Sequence, residues 1–397
     1  MYNMSRNHMT NKLSQISMMP LILPEDKPLV KKSVRYKIND IVVFYKLGRL
    51  IAHRIIYASP SKKYYVTKGD NKNKDDGKIY KTQILGKIEA IERNGRKIKL
   101  SHLYLAQSSV YLEELKKINN ALVRNKIDYI VLKGLPLHIH FNHAPPQRIY
   151  YDADLLINKE DLEKTTNILK KLGFRKIQPK LHGKKVKNAS QVSFLKGTKL
   201  FYTAIDLHLE PAIGFTKLRK INQLLPPTEP FQKHLFKNIK HALVNGTEYP
   251  ILEIETTIVL LLLHFFHHNF QGAHRALLID SLIRKQKIDW SKLIKIVYKY
   301  RFQNQVYLGL LVLKRYYNTP VPYNKIILNL GQKLLSCILI RFISPFSSVG
   351  KNKERIKRFT FVLLLSSQPL TQKVKILSHK KTRSYFLPTI KSFFSRS

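Results

Sequence analysis

Val131-Leu132-Lys133-Gly134, followed by Arg148 and then Tyr151-Asp152-Ala153-Asp154-Leu155-Leu156-Ile157, is the stretch whose reading decides the fold. An apolar strand runs into a glycine turn, and a second strand then carries acids at alternate positions. Residues i and i+2 of a strand point to the same face, so Asp152 and Asp154 present their carboxylates side by side. Mg²⁺ takes oxygen ligands and is commonly shared between one or two carboxylates and a substrate phosphate. A third acid is expected from a neighbouring strand. Asp206, central in the alternating run Phe201-Tyr202-Thr203-Ala204-Ile205-Asp206-Leu207-His208-Leu209, suits that place.

Working outward, the spacing predicts a buried strand over 127–132, a helix from Leu135 to about Phe141 and the acid-bearing strand over 152–157. A helix over 161–172 follows, closed by Gly173. Segments at 191–195 and 200–210 complete a mixed sheet. In order and spacing, Leu132-Lys133-Gly134, Arg148, Asp152-Ala153-Asp154, Leu172-Gly173-Phe174 and Asp206-Leu207-His208 resemble the nucleotidyltransferase superfamily, in its branch of uncharacterised nucleotidyltransferase-like proteins. The resemblance runs from about residue 110 to about 322. It implies an α/β nucleotidyltransferase fold, an NTP substrate, and Mg²⁺ or Mn²⁺ held by Asp152, Asp154 and Asp206 as catalytic ligands. Lys133 and the Gly134 backbone would meet the triphosphate, and Arg148 would pair with a phosphate or brace the acids.

Upstream the pattern is different. Short β-branched and aromatic runs at 36–44, 50–56, 64–71, 84–88 and 97–100, with Asn94-Gly95 as a hairpin turn, predict a small all-β domain. Ser17-Met18-Met19-Pro20, Asp40-Ile41-Val42, His53-Arg54-Ile55, Thr67-Lys68-Gly69-Asp70-Asn71 with Asp75-Asp76, and Leu85-Gly86-Lys87 resemble a type I signal peptidase catalytic domain of the serine-histidine form. The resemblance implies Ser17 as nucleophile, His53 as general base and Asp76 as the acid that orients it, with Asp70 the alternative. A hydroxyl needs such a base to become a useful nucleophile.

From Ser109 the period becomes helical. Leu112, Leu115, Ile118 and Leu122 share one face and predict a helix leading from the first unit into the second. The expected organisation is a disordered start over 1–12, a peptidase-like β-domain over 13–105, the transferase-like domain over 106–213, its helical extension over 214–322 and a basic helical tail over 323–397. His264, His267 and His268 fall on one helix face, and His138, His140 and His143 form a similar group. With no acid or Cys completing either set, a polar face lining the substrate cleft is favoured over zinc.

Composition bounds what remains. The 397 residues carry 71 Lys and Arg against 25 Asp and Glu, a formal charge of +46, with 44% hydrophobic residues. Such a field attracts nucleic acid, an anionic membrane surface or polyphosphate, although a compositional leaning toward Lys, Asn, Ile and Tyr produces the same numbers without a selected partner. Cys337 is the single cysteine, which excludes an internal disulfide and a multi-Cys zinc site. No apolar run reaches the roughly 20 residues of a spanning helix, and 1–16 is too polar for a signal peptide. The expected location is cytoplasmic, with peripheral membrane contact as a variant that the charge permits.

Together these features predict a Mg²⁺-dependent enzyme that transfers a nucleotidyl or phosphoryl group from an NTP to a small molecule, protein or peptide, fused to a serine-peptidase-like domain. Two other classes fit the same residues. One is a non-catalytic basic binding protein with vestigial sites, against which the retained acids and the Ser/His/Asp set speak. The other is an RNA-directed nucleotidyltransferase, favoured by charge but lacking a recognisable RNA-binding motif.

Overall fold

The computed structural model describes residues 16–72, 74–142, 146, 149–150, 152–177, 180–181, 184–185, 191–198, 202–211, 221–346, 360–366 and 368–379. Arg148, Tyr151, His143 and the basic residues Arg355, Lys357, Arg358, Lys380, Lys381 and Arg383 lie outside them. The chain forms an N-terminal antiparallel β region, a mixed α/β sheet and a helical C-terminal region. Two compact units divide it: one takes in the described residues of Met1–Leu112, Pro145–Tyr151 and Gly197–Tyr202, the other those of Glu113–Ala144, Asp152–Lys196 and Thr203–Ser397.

In the first unit, strands β1 (Lys27–Lys31), β2 (Ile41–Lys46), β3 (Arg49–Ala58), β4 (Tyr64–Lys68), β5 (Lys78–Tyr80), β6 (Ile84–Arg93) and β7 (Arg96–Lys99) form an antiparallel sheet in the order β1-β6-β2-β3-β4-β5, with β7 also on β6. Alternation in β2 buries both faces: Ile41 and Val43 join Met18, Leu21, Ile22 and Ile88 on one side, while Val42 and Phe44 join Tyr36, Ile55, Tyr65 and Ile79 on the other. The turn between β6 and β7 has positive φ at Asn94 (50°) and Gly95 (72°), the geometry that favours Asn-Gly in a tight hairpin. The strand expected from Tyr36 begins only at Ile41. Asp40 Oδ2 accepts a hydrogen bond from the Lys37 amide at 2.8 Å and Asn39 has φ of 77°, so 37–40 is a turn.

Helix α1 (Leu100–Arg124) starts directly after β7, earlier than the apolar stripe indicates. Its first turns are held by Leu100 and Tyr104, which are buried in the first unit's core, and the predicted Leu112, Leu115, Ile118 and Leu122 are buried as well. In the second unit β8 (Tyr129–Lys133), α2 (Leu135–Asn142), β9 (Asp152–Ile157), α3 (Leu162–Lys171) and β10 (Arg175–Ile177) come next. After the two-residue strands β11 (Lys180–Leu181) and β12 (Lys184–Lys185) follow β13 (Gln191–Gly197) and β14 (Tyr202–His208). The main sheet has the order β10-β13-β14-β9-β8 and is mixed, since β14 is parallel to β9 and β8 antiparallel to it. Gly173, at φ of 87°, ends α3; its amide donates to the Lys170 carbonyl and that of Phe174 to Leu169. Such a cap satisfies carbonyls that the last turn leaves open.

The reading of the region after 214 as helical is incomplete. Following α4 (Glu229–Lys237), β15 (Ile239–Val244) and β16 (Thr247–Leu252) pair antiparallel around Asn245-Gly246, both at positive φ. The reason lies in the side chains. Ala242 and Val244 are buried while Leu243 is 69% exposed, a period of two that no helix satisfies. Beyond the hairpin, α5 (Ile254–His267), α6 (Ala273–Lys285), α7 (Trp290–Lys299), α8 (Gln303–Tyr317), α9 (Leu330–Leu339) and α10 (Leu370–Ser378) are helical. Helix α5 is apolar nearly all round, with eleven of its residues buried, as expected of a helix packed on every side. Among the described residues no helix is long and apolar enough to cross a membrane.

Candidate functional site

The acids gather at one end of the mixed sheet. Parallel pairing sets Asp206 of β14 opposite Asp154 of β9, so Asp152, Asp154, Asp206 and His208 share a face by the strand period of two. Asp152, Asp154 and Asp206 each bring a carboxylate oxygen within 4.8 Å of the others. Among the described residues this is the one group of His, Cys, Asp or Glu side chains arranged to hold a metal ion. On the other side of β9, Lys133 ends β8 opposite Asp154, with a register irregularity between Val131 and Lys133. A bulge of this kind re-aims a side chain. Lys133 Nζ lies 3.0 Å from Asp154 Oδ2 and 3.7 Å from Asp152 Oδ2. Gly134, at φ of 119°, turns the chain into α2.

His208 Nε2 is 2.7 Å from Asp154 Oδ1. An ionised carboxylate only accepts, so Nε2 carries the proton and donates it. That leaves Asp154 Oδ2, which is buried, has no well-directed hydrogen bond and lies 3.0 Å from the Lys133 ammonium. A buried carboxylate oxygen with no directed partner, beside two further carboxylates, is what a hard divalent cation requires. The residues present therefore fit such an ion.

Each group's protonation follows from its neighbours. Burial works against the ionised Asp154, but Lys133 and His208 outweigh it and hold the carboxyl below its usual range. Burial and then the Asp154 charge push Asp152 up. With 51% of its side chain exposed, Asp152 feels that effect through water, which screens much of it. Lys133 is pulled down by burial and raised more strongly by Asp154 and Asp152, so it stays charged. His264 of α5 lines a narrow recess with Lys133, Asp154 and His208. Burial, then the charge of Lys133, hold its imidazole neutral well below the ordinary range. The rings of His264 and His268 lie 4.6 Å apart. His264 faces the acid-bearing recess.

In the first unit, His53 of β3 lies with Nδ1 2.7 Å from Asp76 Oδ2, and Thr67 Oγ1 donates to the same oxygen at 2.7 Å. The Nδ1 proton is thereby fixed and Nε2 presents a lone pair; that nitrogen is buried and has no hydrogen-bond partner. Asp70 is engaged elsewhere: the buried Arg54 guanidinium grips it through Nε at 2.8 Å and a second nitrogen at 2.6 Å. Arg54 also donates to Tyr104 Oη and the Asn39 carbonyl. Ser17 sits buried in a single helical turn, Ile16–Met18. The Asn71 amide donates to the Ser17 carbonyl at 2.8 Å, tying that turn to the Thr67–Asn71 loop. A Cβ placed on Gly69 would stand 2.8 Å from both His53 Nε2 and the Ser17 carbonyl oxygen. The loop thus packs against both the serine turn and the histidine with room only for a glycine.

The role of His208 was the part least readable from the sequence. Asp206-Leu207-His208 does place it on the acid-bearing face, but its reach to Asp154 depends on the parallel pairing of β14 with β9. Arg148 lies outside the described residues.

Residues 99–318 match the family described as "Uncharacterised nucleotidyltransferase". That is more than half of the chain, which therefore belongs to this family of transferases. A crystal structure of an antigenic nucleotidyltransferase-like protein from Paracoccidioides brasiliensis is similar at 15% identity over 50% of this chain and 90% of the other, with a TM-score of 0.29. No curated protein matches.

Proposed function

We propose that the protein is a metal-dependent nucleotidyltransferase in which Asp152, Asp154 and Asp206 hold Mg²⁺ or Mn²⁺ and an NTP is the donor. The observation that carries this reading is the convergence of three carboxylates from two adjacent strands to within 4.8 Å, one of them with an undirected buried oxygen. When bound, the ion neutralises phosphate charge and aligns the attacking and leaving oxygens. The chain's own residues do the rest. His208 holds Asp154 in one orientation, Lys133 supplies a cation for phosphate, and the recess beside Leu260, Leu261 and His264 keeps water away from the reacting phosphorus. An acceptor hydroxyl on a small molecule, protein or peptide would attack the α-phosphorus, the α-phosphorus–oxygen bond to pyrophosphate would break, and the hydroxyl proton would pass to solvent.

The test is incubation with α-labelled NTPs and Mg²⁺ or Mn²⁺ in the presence of cell extract. Label should pass to an acceptor with the native protein and not with Asp152→Asn/Asp154→Asn. No transfer by the native protein under any NTP and metal would overturn the assignment. Transfer confined to RNA would establish the RNA-directed alternative.

A second reading rests on the His53–Asp76 pair and concerns the first unit, which we propose to be a signal-peptidase-like domain fused ahead of the transferase near residue 105. Ser17 would attack a peptide carbonyl, His53 Nε2 would take its proton, and Asp76 with Thr67 would keep the imidazole in the tautomer that accepts it. The orphaned Nε2 lone pair supports this, because a buried acceptor without a partner costs about 1–3 kcal/mol and calls for a purpose. Asp70, bound to Arg54, would then serve the packing of the loop. A fluorophosphonate probe should label the native protein and not Ser17→Ala; equal labelling of both removes Ser17 as nucleophile. An extension over 214–322, which includes the β15–β16 hairpin as well as helices, and the basic tail over 323–397 complete the proposed organisation.

A further inference from the structure

The side chain expected to meet a nucleotide's phosphates is found on the acids instead. Lys133 Nζ stands 3.0 Å from Asp154 Oδ2 and 3.7 Å from Asp152 Oδ2. His208 already occupies Asp154 Oδ1 at 2.7 Å, so Oδ2 is the oxygen Asp154 has left for any ion. Three ionised carboxylates repel one another in a partly dry site, and a nearby cation relieves that repulsion. Lys133 pairs with two of them.

A divalent ion on Asp154 Oδ2 would need the lone pair that faces the ammonium. It would also stand within a few ångströms of that charge, where repulsion is strong even at a protein surface. Both cannot stay. The lysine stem is flexible and its head a compact point charge, and Lys133 also borders the recess lined by Pro211, Leu260 and His264. On the reading of the triad as a metal centre, which this inference presupposes, we propose that Lys133 is a tethered counter-ion: it neutralises Asp152 and Asp154 in the ion-free protein, is expelled when the divalent ion binds, and is then captured by the nucleotide's phosphate. Lys133 thereby opposes binding of the ion alone and favours its arrival together with a polyphosphate. Coupling of this kind is reciprocal, and its usual size is about 5- to 150-fold in affinity.

The experiment measures Mn²⁺ binding to the full chain without nucleotide, by electron paramagnetic resonance of free Mn²⁺, for the native protein, Lys133→Met, Lys133→Arg and Asp154→Asn. Lys133→Met should bind Mn²⁺ about tenfold or more tightly than the native protein. Lys133→Arg should bind no more tightly than native, and Asp154→Asn should lose binding. If Lys133→Met binds equally or more weakly while Asp154→Asn still abolishes binding, the metal centre stands and the counter-ion proposal falls. If neither the native protein nor Lys133→Met binds Mn²⁺, the metal-centre reading falls and takes the proposal with it.

A second measurement needs no variant. Acetylation of Lys133 in the native protein, read by peptide mass spectrometry, should rise several-fold on adding Mn²⁺ and fall again on adding a non-hydrolysable NTP analogue. Lys133 labelling that does not respond to Mn²⁺ overturns the expulsion, and labelling that stays high with the analogue overturns the capture by phosphate.

Discussion

Single residues define both candidate centres, and each centre can be disturbed through a neighbouring side chain or backbone position. His208 donates to Asp154. Groups that orient a metal ligand are worth about 10- to 100-fold in metal affinity or activity. His208→Ala is therefore expected to lower Mn²⁺ affinity by that order, with His208→Gln recovering part of it, as a titration of both variants would read. In the first unit, Gly69→Ala would push a methyl onto His53 Nε2 and the Ser17 carbonyl, each 2.8 Å away. Fluorophosphonate labelling of Ser17 should be lost and the thermal midpoint should fall, because the Ser17 carbonyl is backbone and has to shift; unchanged labelling would separate Gly69 from that site.

Glu114 shows how a structural pair differs from a functional one. Burial works against its ionised form, but hydrogen bonds to Lys196 at 2.6 Å and Lys117 at 3.0 Å prevail, and its pKa lies below the ordinary 4.5. A folded-state pKa below the unfolded one means that the unfolded chain takes up protons first as pH falls. The stability from this pair is thus full above pH 4.5 and lost as the pH drops through the folded value. Glu114→Gln should cost about 0.5–1 kcal/mol at pH 7, and denaturant curves of variant and native protein should converge in acid.

At the scale of elements, the sheets follow from alternation and the turns from special backbone positions. The β15–β16 hairpin turns on Asn245 at φ of 48° and Gly246 at 71°. A Cβ on Gly246 would meet nothing within 4 Å, so Gly246→Ala tests backbone conformation alone. It should cost about 1 kcal/mol, measured as a shift in the urea midpoint with an unchanged slope. A larger loss would mean that the hairpin does more than close on itself. The hairpin was legible in Val244-Asn245-Gly246-Thr247, yet the apolar helical period from Ile254 onward dominates its surroundings. Helix α5 posed the opposite problem: being buried nearly all round, it shows no stripe to say which side faces the acids. That His264 lines the acid-bearing recess follows only from how α5 packs.

For the whole molecule the dominant quantity is charge. At +46, with basic residues spread along the chain, non-specific attraction to polyanions is expected and should be screened by salt. Binding to a generic duplex should weaken by about a hundredfold or more between 50 and 200 mM salt, as fluorescence anisotropy would show. A salt-independent component would instead mark a shaped nucleic-acid site and favour the RNA-directed reading.

By itself the sequence determined the sheet-forming runs, the acid-bearing strand at Asp152–Ile157, the glycine stop after α3, the family, and the side chains from which a metal centre and a Ser/His/Asp set can be built. These are properties of local spacing: a strand period of two puts Asp152 beside Asp154 whatever else the chain does. Tertiary structure alone decided the partnerships. Parallel pairing of β14 with β9 carried Asp206 and His208 to Asp154, a register irregularity in β8 laid Lys133 across the acids, and loop closure gave His53 to Asp76 while Arg54 took Asp70. Contacts between residues far apart in the chain depend on register and packing, and no window of sequence contains both.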